Sequence, residues 1–260
     1  MSGQGAFDAT AHLPPSFHLV VKERVESTNA TARQLVEKGV TSPTIVWAYE
    51  QKAGRGRRGR AWDSPPGNLY ISFILPPEGE IQTASEFGFA AALAVADALE
   101  RHLPQGMPVT IKWPNDILVQ GAKIGGILLE SVPTSKGGLA ALVLGVGLNI
   151  RAAPDNVPYR VTCLEAIAET PAFARERLLC AVAHELEGWL TQRRHFGFRV
   201  LRNGWLARAK GIGEAITVRL PRETFHGTFV DLSEDGALIL RHDNGKEQRI
   251  HVGDVFFDRE

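Results

Sequence analysis

The sequence predicts an α+β protein in which a mixed sheet is flanked by helices and followed by a small C-terminal β domain of the SH3-like barrel type. Stretches rich in β-branched and aromatic residues cluster between helical stretches, which favours one sheet covered by helices. Beyond Gly211, short segments alternate apolar and polar residues between turn signals, a pattern typical of a small β meander. The length of 260 residues, 44% of them hydrophobic, is sufficient for one large domain and a small one.

Three segments are expected along the chain. Residues 1–16 are small and polar and end at Pro14-Pro15, which predicts a flexible lead-in. Residues 17–209 would form the large domain. Residues 210–260 would form the small β domain.

Hydrophobic periodicity assigns the elements of the large domain in order. The first helix begins at the polar run 27–29 and ends at Gly39, which supply its caps. Two further stretches, 85–102 and 162–209, carry apolar residues at three-and-four spacing and are predicted to be helical. The strands are β-branched or apolar runs ended by turn residues, and we expect them at 17–21, 44–49, 69–75, 109–113, 117–119, 123–131 and 139–147.

The small domain is predicted as a meander of short strands joined by hairpin turns. Its turns are rich in proline, glycine, aspartate and asparagine, which favour tight turns. The strands are expected at 215–220, 224–232, 237–241 and 248–252.

Composition excludes several classes of protein. Basic and acidic residues balance at 29 each, so binding to nucleic acid or membrane by bulk charge is not indicated. Cys163 and Cys180 are the two cysteines, too few for a disulfide framework or a zinc site, and we expect reduced, structural thiols in helical stretches. We find neither a signal peptide nor an apolar run of about 18 residues. A cytoplasmic protein without a membrane association is expected.

The most charged segment is the loop Gly54-Arg55-Gly56-Arg57-Arg58-Gly59-Arg60, which meets no acidic residue before Asp63. Glycine allows conformations in which backbone N–H groups converge on a ligand, and guanidinium groups match phosphate oxygens in pairs. The loop is therefore a candidate phosphate site. We expect it to be mobile until an anion arrives, because its like charges repel. Taken alone, it is equally consistent with a solvated basic loop or an RNA contact.

A second motif decides between these interpretations. Lys112-Trp113-Pro114-Asn115-Asp116 is followed by Lys123, which lies among the glycines of 121–126. Together with Glu26-Ser27-Thr28-Asn29 and the run 51–59, these motifs resemble the biotin protein ligases in order and spacing. The match is to the monofunctional form, without an N-terminal DNA-binding domain, and covers residues 26–149 and a segment near 211–257. It implies the class II synthetase-like catalytic fold with a small C-terminal SH3-like domain.

The resemblance implies an ATP-dependent ligase. Biotin would be activated to biotinyl-5′-AMP with release of pyrophosphate, then transferred to a lysine of a biotin carboxyl carrier protein, as of acetyl-CoA carboxylase. Mg²⁺ is expected only as the ion carried with ATP, and no protein ligands are assigned to it because the eight histidines are scattered. The residues agree with this chemistry, since a carboxylate and a triphosphate repel each other unless cations screen them.

The biotin site implied by the resemblance combines short polar side chains with the arginine loop and the lysine motif. The polar run 27–29 would hydrogen-bond the ureido ring, and its donors and acceptors suit a small polar ring. Ordinary helix capping is the alternative explanation of that run. The residues assigned to biotin are Ser27, Thr28, Asn29, Gln51, Gly54, Arg55, Gly56, Arg57, Lys123 and Gly126.

The nucleotide site implied by the resemblance adds aromatic and amide groups to the arginines, and the segment 145–149 matches the adenine side of the family's site. Trp62 is equally explained as a core tryptophan. The residues assigned to the nucleotide are Arg55, Arg57, Arg58, Arg60, Trp62, Lys112, Asn115 and Asn149.

Three residues are assigned to catalysis. Lys123 matches the family lysine beside the biotin carboxylate and the α-phosphate, and Arg57 matches an adenylate contact. Asp116 would orient or deprotonate the incoming lysine amine. A solvated surface lysine and an aspartate that caps a turn are the alternative explanations.

Other functions remain as alternatives. A lipoate or octanoate ligase would share the fold and the reaction, but the motifs at 27–29 and 112–116 argue against it. An RNA-binding module explains the arginines and leaves residues 112–116 without a role. A ligase that is also a repressor would need a helix-turn-helix domain before Phe17, so DNA binding is not expected. The sequence leaves the oligomeric state open, including a homodimer.

Overall fold

The computed structural model describes residues 7–78, 81–136, 138–169 and 174–257. It confirms the α+β class: a seven-stranded mixed sheet with helices on both faces is followed by a five-stranded antiparallel sheet. Within these residues no helix is long and apolar enough to cross a membrane.

The large sheet has the strand order β1-β2-β3-β7-β6-β5-β4. Only the edge pair β1 and β2 is parallel, because helix α1 crosses over between them, and the other pairs are antiparallel. Its strands are β1 His18–Val25, β2 Thr44–Gln51, β3 Leu69–Leu75, β4 Val109–Lys112, β5 Asp116–Val119, β6 Ala122–Pro133 and β7 Leu139–Leu148.

Helices cover the two faces of this sheet unequally. Helix α1, Thr28–Glu37, packs on one face through Ala32 against a small cluster that includes Val46 and Ile74. Helix α2, Ser85–Glu100, lies between the other face and the later helices, and is therefore apolar on almost all sides. The main core occupies this second face. The start of α1 is left at the sheet surface, where its N–H groups and side chains form one wall of a cleft.

The helical stretch predicted over 162–209 is divided. It contains α3 Leu164–Ile167, α4 Ala174–Phe196 and α5 Phe198–Leu206, and residues 170–173 lie outside the described residues. Gly197 separates α4 from α5 with φ +71°, a left-handed conformation that stops a helix. The sequence prediction treated this glycine as part of a continuous helix and was wrong there.

Both cysteines are free thiols. Cys180 is buried in α4, as expected, and burial raises the pKa of its thiol to about 11. Cys163 is half-buried and lies at the residue before α3 rather than inside a helix.

The C-terminal sheet has the order β11-β10-β9-β8-β12 and is antiparallel throughout. Its strands are β8 Ala215–Arg219, β9 Thr224–Leu232, β10 Leu238–Arg241, β11 Glu247–Ile250 and β12 Asp254–Phe257. Strand β12, which follows β11 after a three-residue turn, was not predicted. Within the described residues the sheet is open, with β11 and β12 at its edges, and does not close into the expected barrel.

The two sheets are joined by backbone and side-chain contacts. The Ile111 N–H donates to Arg208 O at 2.8 Å and Ile111 O accepts from the Lys210 N–H at 2.9 Å, so the chain after α5 lies along β4. Arg202 of α5 pairs with Asp231 of β9 at 2.5 Å. The C-terminal sheet is thereby held against the edge of the large sheet that carries residues 112–116.

The first residues of the described chain also join the core. Ala9 and Leu13 are buried, and the Cys180 thiol lies 3.5 Å from Ala9 O. Residues 1–6 of the predicted lead-in lie outside the described residues. The domain limits at residues 16 and 209 stay predictions.

Candidate active site

A cavity lies where the arginine loop covers the start of α1 and the adjoining ends of β6 and β7. It brings together residues from five separate parts of the chain. Thirteen of the residues predicted for the site line it: Ser27, Thr28, Asn29, Gln51, Arg55, Gly56, Arg57, Arg60, Trp62, Asn115, Asp116, Lys123 and Gly126.

One wall of the cavity is the N-terminus of α1, held by Gln51. The Gln51 side-chain oxygen accepts from the Thr28 N–H at 2.8 Å and from the Thr28 hydroxyl at 3.1 Å. Ser27 has extended backbone and makes no side-chain capping bond. Ordinary capping therefore does not explain this polar run, since the first-turn N–H is satisfied by a side chain from β2.

Asn29 is fixed at both ends of its amide. Its oxygen accepts from the Ser72 hydroxyl at 2.6 Å, and its NH₂ donates to Glu130 Oε2 at 2.7 Å. Its side chain lies against bare backbone at Gly145, where a Cβ atom would come 2.3 Å from Asn29 Oδ1. A buried amide held in this way has one orientation, which suits recognition of a small polar ring.

The arginine loop forms a closed turn over the cavity. Gly56 N–H donates to Arg60 O at 2.7 Å, Trp62 N–H donates to Gly54 O at 2.9 Å, and Arg55 bridges to Ala61. At the tip of the turn the backbone of Arg58 adopts a left-handed conformation with φ 56°. The loop itself contains no acidic residue, but the fold brings two to it.

These two acids come from β6 and β12. Glu130 Oε2 lies 3.7 Å from Arg55, and Asp254 pairs with Arg58 at 3.1 Å and with Arg60 at 2.8 Å. Each acid forms an ion pair with one or more arginines that are distant from it in sequence. The positive charge of the loop is therefore partly neutralised in the fold.

Arg57 is the arginine of the loop that reaches furthest into the protein. Its Nη1 donates to Asn115 Oδ1 at 3.5 Å and to Gly253 O at 3.3 Å, which are neutral oxygens. Burial is the main cause that lowers the pKa of Arg57, and the charge of Asp254 opposes it. A partly desolvated guanidinium with long bonds to neutral oxygens is well suited to bind an anion.

Lys123 lies opposite the loop in an aromatic and acidic setting. Its Nζ is 2.6 Å from Asp116 Oδ1 and lies 5.4 Å and 5.5 Å from the ring centroids of Trp62 and Tyr159. Its side chain is 16% exposed, so the interpretation as a solvated surface lysine does not hold. The cation is preorganised among a carboxylate and two rings.

Trp62 is not a core tryptophan. Its ring lies over Gly126 and Gly147, which face each other across β6 and β7, and a Cβ atom at Gly147 would come 2.6 Å from the indole nitrogen. That nitrogen is buried and has no hydrogen-bond partner within the described part of the chain.

Two predicted nucleotide residues lie outside the cavity and face the C-terminal sheet. Arg58 turns away to Asp254. The Lys112 Nζ lies 4.9 Å from the centroid of the Phe257 ring. Their contact with a nucleotide stays a prediction.

Two further predicted residues lie behind the cavity and do not line it. Asn149 is buried and donates from its amide to Thr162 O at 3.1 Å. Gly54 is buried under the loop, where a Cβ atom would come 2.5 Å from Ser64 Oγ. Their assigned ligand contacts also stay predictions.

Sequence reasoning missed Tyr159, Glu130, Ser72 and Asp254. Tyr159 is half-exposed at the cavity mouth because the chain returns beside Lys123, where Val161 forms a bridge to it. No local motif marks any of the four. They could be found only from contacts between distant segments.

No group of histidine, cysteine, aspartate or glutamate residues in the described ranges could hold a metal ion. The cavity instead gathers arginine, lysine and backbone N–H groups. This donor set suits phosphate and carboxylate oxygens.

Comparison with known proteins agrees with this geometry. Residues 21–149 match the model of the Biotin/lipoate A/B protein ligase family, and residues 211–258 match the Biotin protein ligase C terminal domain. The chain is 41% identical over 238 residues to a biotin--[acetyl-CoA-carboxylase] ligase of Paracoccus denitrificans, covering 90% of this chain and 98% of that protein.

Solved structures give the same result. The biotin protein ligase of Aquifex aeolicus in complex with biotin and ATP aligns with a TM-score of 0.77 at 29% identity, over 92% of this chain and 97% of that chain. That of Leishmania major in complex with biotinyl-5-AMP aligns with a TM-score of 0.65 at 27% identity, over 92% and 100%. The chain therefore belongs to the biotin protein ligase family.

Proposed function

We propose that the protein is a biotin protein ligase that converts biotin and ATP to biotinyl-5′-AMP and pyrophosphate, and then transfers biotin to a lysine of a biotin carboxyl carrier domain. The observation that carries the proposal is the cavity itself. It places the Lys123 and Asp116 pair, at 2.6 Å, and the half-buried Arg57 beside the fixed amide of Asn29. One end suits a small polar ring and the other suits two anions.

The biotin end is the polar wall on α1. Ser27, Thr28 and Asn29 line the cavity, and the orientations of Thr28 and Asn29 are fixed by Gln51, Ser72 and Glu130. These groups would hydrogen-bond the ureido ring. Because they are already ordered, little entropy is lost when biotin binds.

The first step, formation of the adenylate, would take place at the end of the cavity that suits anions. A biotin carboxylate oxygen attacks the α-phosphorus of ATP, the bond from that phosphorus to the bridging oxygen breaks, and pyrophosphate leaves with the electron pair. Lys123 and Arg57 screen the charges that must approach. Mg²⁺ enters as part of the Mg-ATP substrate.

The second step would use the biotinyl-5′-AMP formed in the first step. The amine of the acceptor lysine attacks the acyl carbon, AMP departs, and the amine proton must be accepted. Asp116 is the carboxylate at the reacting end, and it would orient the amine or take that proton once Lys123 turns to the phosphate.

The acceptor and the setting are parts of the proposal. The relative from Paracoccus denitrificans is named for acetyl-CoA carboxylase, so we infer that the acceptor is the carrier domain of such a carboxylase. A cytoplasmic location agrees with the need for ATP. Repressor activity and binding to DNA are not part of the proposed function.

The experiment that tests the function is ATP–pyrophosphate exchange with biotin, lipoate and octanoate offered separately, followed by transfer to a carrier domain. Exchange with biotin alone is the expected result. Exchange with lipoate or octanoate and none with biotin would instead assign the protein to the related acyl ligases.

RNA binding is disfavoured because Asp254 already pairs with Arg58 and Arg60.

Arg57→Ala should weaken retention of the adenylate by about 10- to 100-fold, since charge-assisted hydrogen bonds contribute roughly 1.5–3 kcal/mol. Biotin binding should change much less, because the guanidinium addresses phosphate and not the ureido ring. Calorimetric titrations with biotin and with a stable adenylate analogue measure both. Arg222→Ala, at an exposed turn, is the control. An equal loss of affinity for the two ligands would contradict the assignment.

A further inference from the structure

Asp254 joins the C-terminal sheet to the arginine loop. It is the first residue of β12, and its two carboxylate oxygens accept from different arginines, Oδ2 from Arg58 at 3.1 Å and Oδ1 from Arg60 at 2.8 Å. Its side chain is 22% exposed, whereas the side chains of Arg58 and Arg60 are 31% and 57% exposed, so both ion pairs are partly open to water. One carboxylate thus holds two arginines that are almost adjacent in sequence.

Backbone groups beside Asp254 extend this contact. Gly253 O accepts from Arg57 at 3.3 Å, and Arg219 O accepts from Arg58 at 3.5 Å. Arg219 is the residue paired with Asp254 across β8 and β12, so both contacts lie at one end of this strand pair. That end of the C-terminal sheet therefore contacts the loop at residues 57, 58 and 60.

The arginines of the loop differ in their partners. Asp254 pairs with Arg58 and Arg60, whereas the hydrogen bonds of Arg57 go to neutral oxygens. Without Asp254, four arginines within six residues would repel one another and favour an open loop. With it, the closed turn is stabilised and Arg57 stays available to an anion.

We propose that Asp254 is a positioning residue for the reaction: it braces the arginine loop from outside the cavity, so that Arg57 is in place before ATP binds. This inference rests on the proposed function for the identity of the ligand. The contacts of the brace lie within this chain. Ion pairs that are partly exposed contribute little to stability, so the expected effect of their loss is moderate.

The test is Asp254→Asn, which keeps the size of the side chain and removes its charge. Trypsin should cleave within residues 54–60 of this variant at least about 5-fold faster than in the wild-type protein, as followed by mass spectrometry, because local opening exposes the loop. In pyrophosphate exchange the KM for ATP should rise by about 5-fold while that for biotin stays within about 2-fold, because the loop addresses phosphate.

Asp231→Asn is the matched control. Asp231 also joins the C-terminal sheet to the large domain, through Arg202 at 2.5 Å, but away from the cavity. The Asp231→Asn variant should leave the rate of loop cleavage and the KM for ATP unchanged. Equal effects of the two variants would mean that Asp254 acts only as a general tether between the sheets, and the proposal would be wrong.

Two other outcomes would overturn the brace. A lower KM for ATP in Asp254→Asn would show that Asp254 competes with the nucleotide, and unchanged cleavage would show that it does not order the loop. If that variant does not fold, Asp254→Glu, which keeps the charge but displaces it by one methylene, should raise the KM for ATP by about 2-fold. No rise would also overturn the proposal. If the wild-type protein shows no biotin-dependent exchange, the proposed function fails, while the cleavage rates still decide the brace.

Discussion

Lys123→Ala is expected to slow formation of the adenylate by about 10³-fold, within the range found when a preorganised charge is removed from an active site. The Nζ lies in a shielded position between Trp62 and Tyr159 and beside Asp116, at the end of the cavity where two anions must meet. Without it, the carboxylate and the α-phosphate would repel each other at the reacting atoms, and Asp116 would add a third negative charge.

Single-turnover release of pyrophosphate measures this step, and a thermal melt checks the fold. The melting temperature should change little, because the aliphatic stem of Lys123 lies at the cavity surface and not in the core. Lys38→Ala, at an exposed position after α1, should leave both unchanged. Normal pyrophosphate release in folded Lys123→Ala would show that the reacting atoms lie elsewhere.

Gly145→Ala is expected to reduce biotin affinity by about 100-fold, the larger end of what displacement of a hydrogen-bonded buried amide costs. The added Cβ would lie 2.3 Å from Asn29 Oδ1 and 3.0 Å from its Cγ. Asn29 has no room to give way, since Ser72 and Glu130 hold its two ends. The amide would have to leave the position from which it addresses the ligand.

Calorimetric titration with biotin measures the loss. Gly188→Ala is the matched control, because Gly188 lies in α4 and its added Cβ would meet nothing within 4 Å. It should bind biotin normally and gain about 0.5–1 kcal/mol of stability, the usual difference between glycine and alanine in a helix. Unchanged affinity in Gly145→Ala would remove Asn29 from the biotin site.

Most strands and the residues of the cavity were predictable because their signals are local. β-branched runs ended by turns predict β2 and β3 closely, and the motif residues Ser27, Arg57 and Lys123 do meet in one cavity. By contrast, β12 was not predicted, although β10 and β11 are equally short. The break between α4 and α5 at Gly197 was not predicted, because helical periodicity continues on both sides of this glycine.

The supporting residues of the site could not be predicted, because they act over long separations in sequence. Asp254 is 196 residues from Arg58, and Glu130 is 101 residues from Asn29. The composition of the arginine loop indicates strong self-repulsion. Only the fold shows that part of this repulsion is compensated by other segments.

The glycines under Trp62 and Asn29 limit the substitutions that this chain can accept during evolution. Gly126, Gly145 and Gly147 form a floor of bare backbone on which the two side chains lie. Every replacement at these positions adds at least one carbon atom, so no conservative exchange exists for them. At Ser27 or Thr28, by contrast, one hydroxyl can replace another. Mutational tolerance in this protein is therefore expected to be lowest where the cavity has no side chains at all.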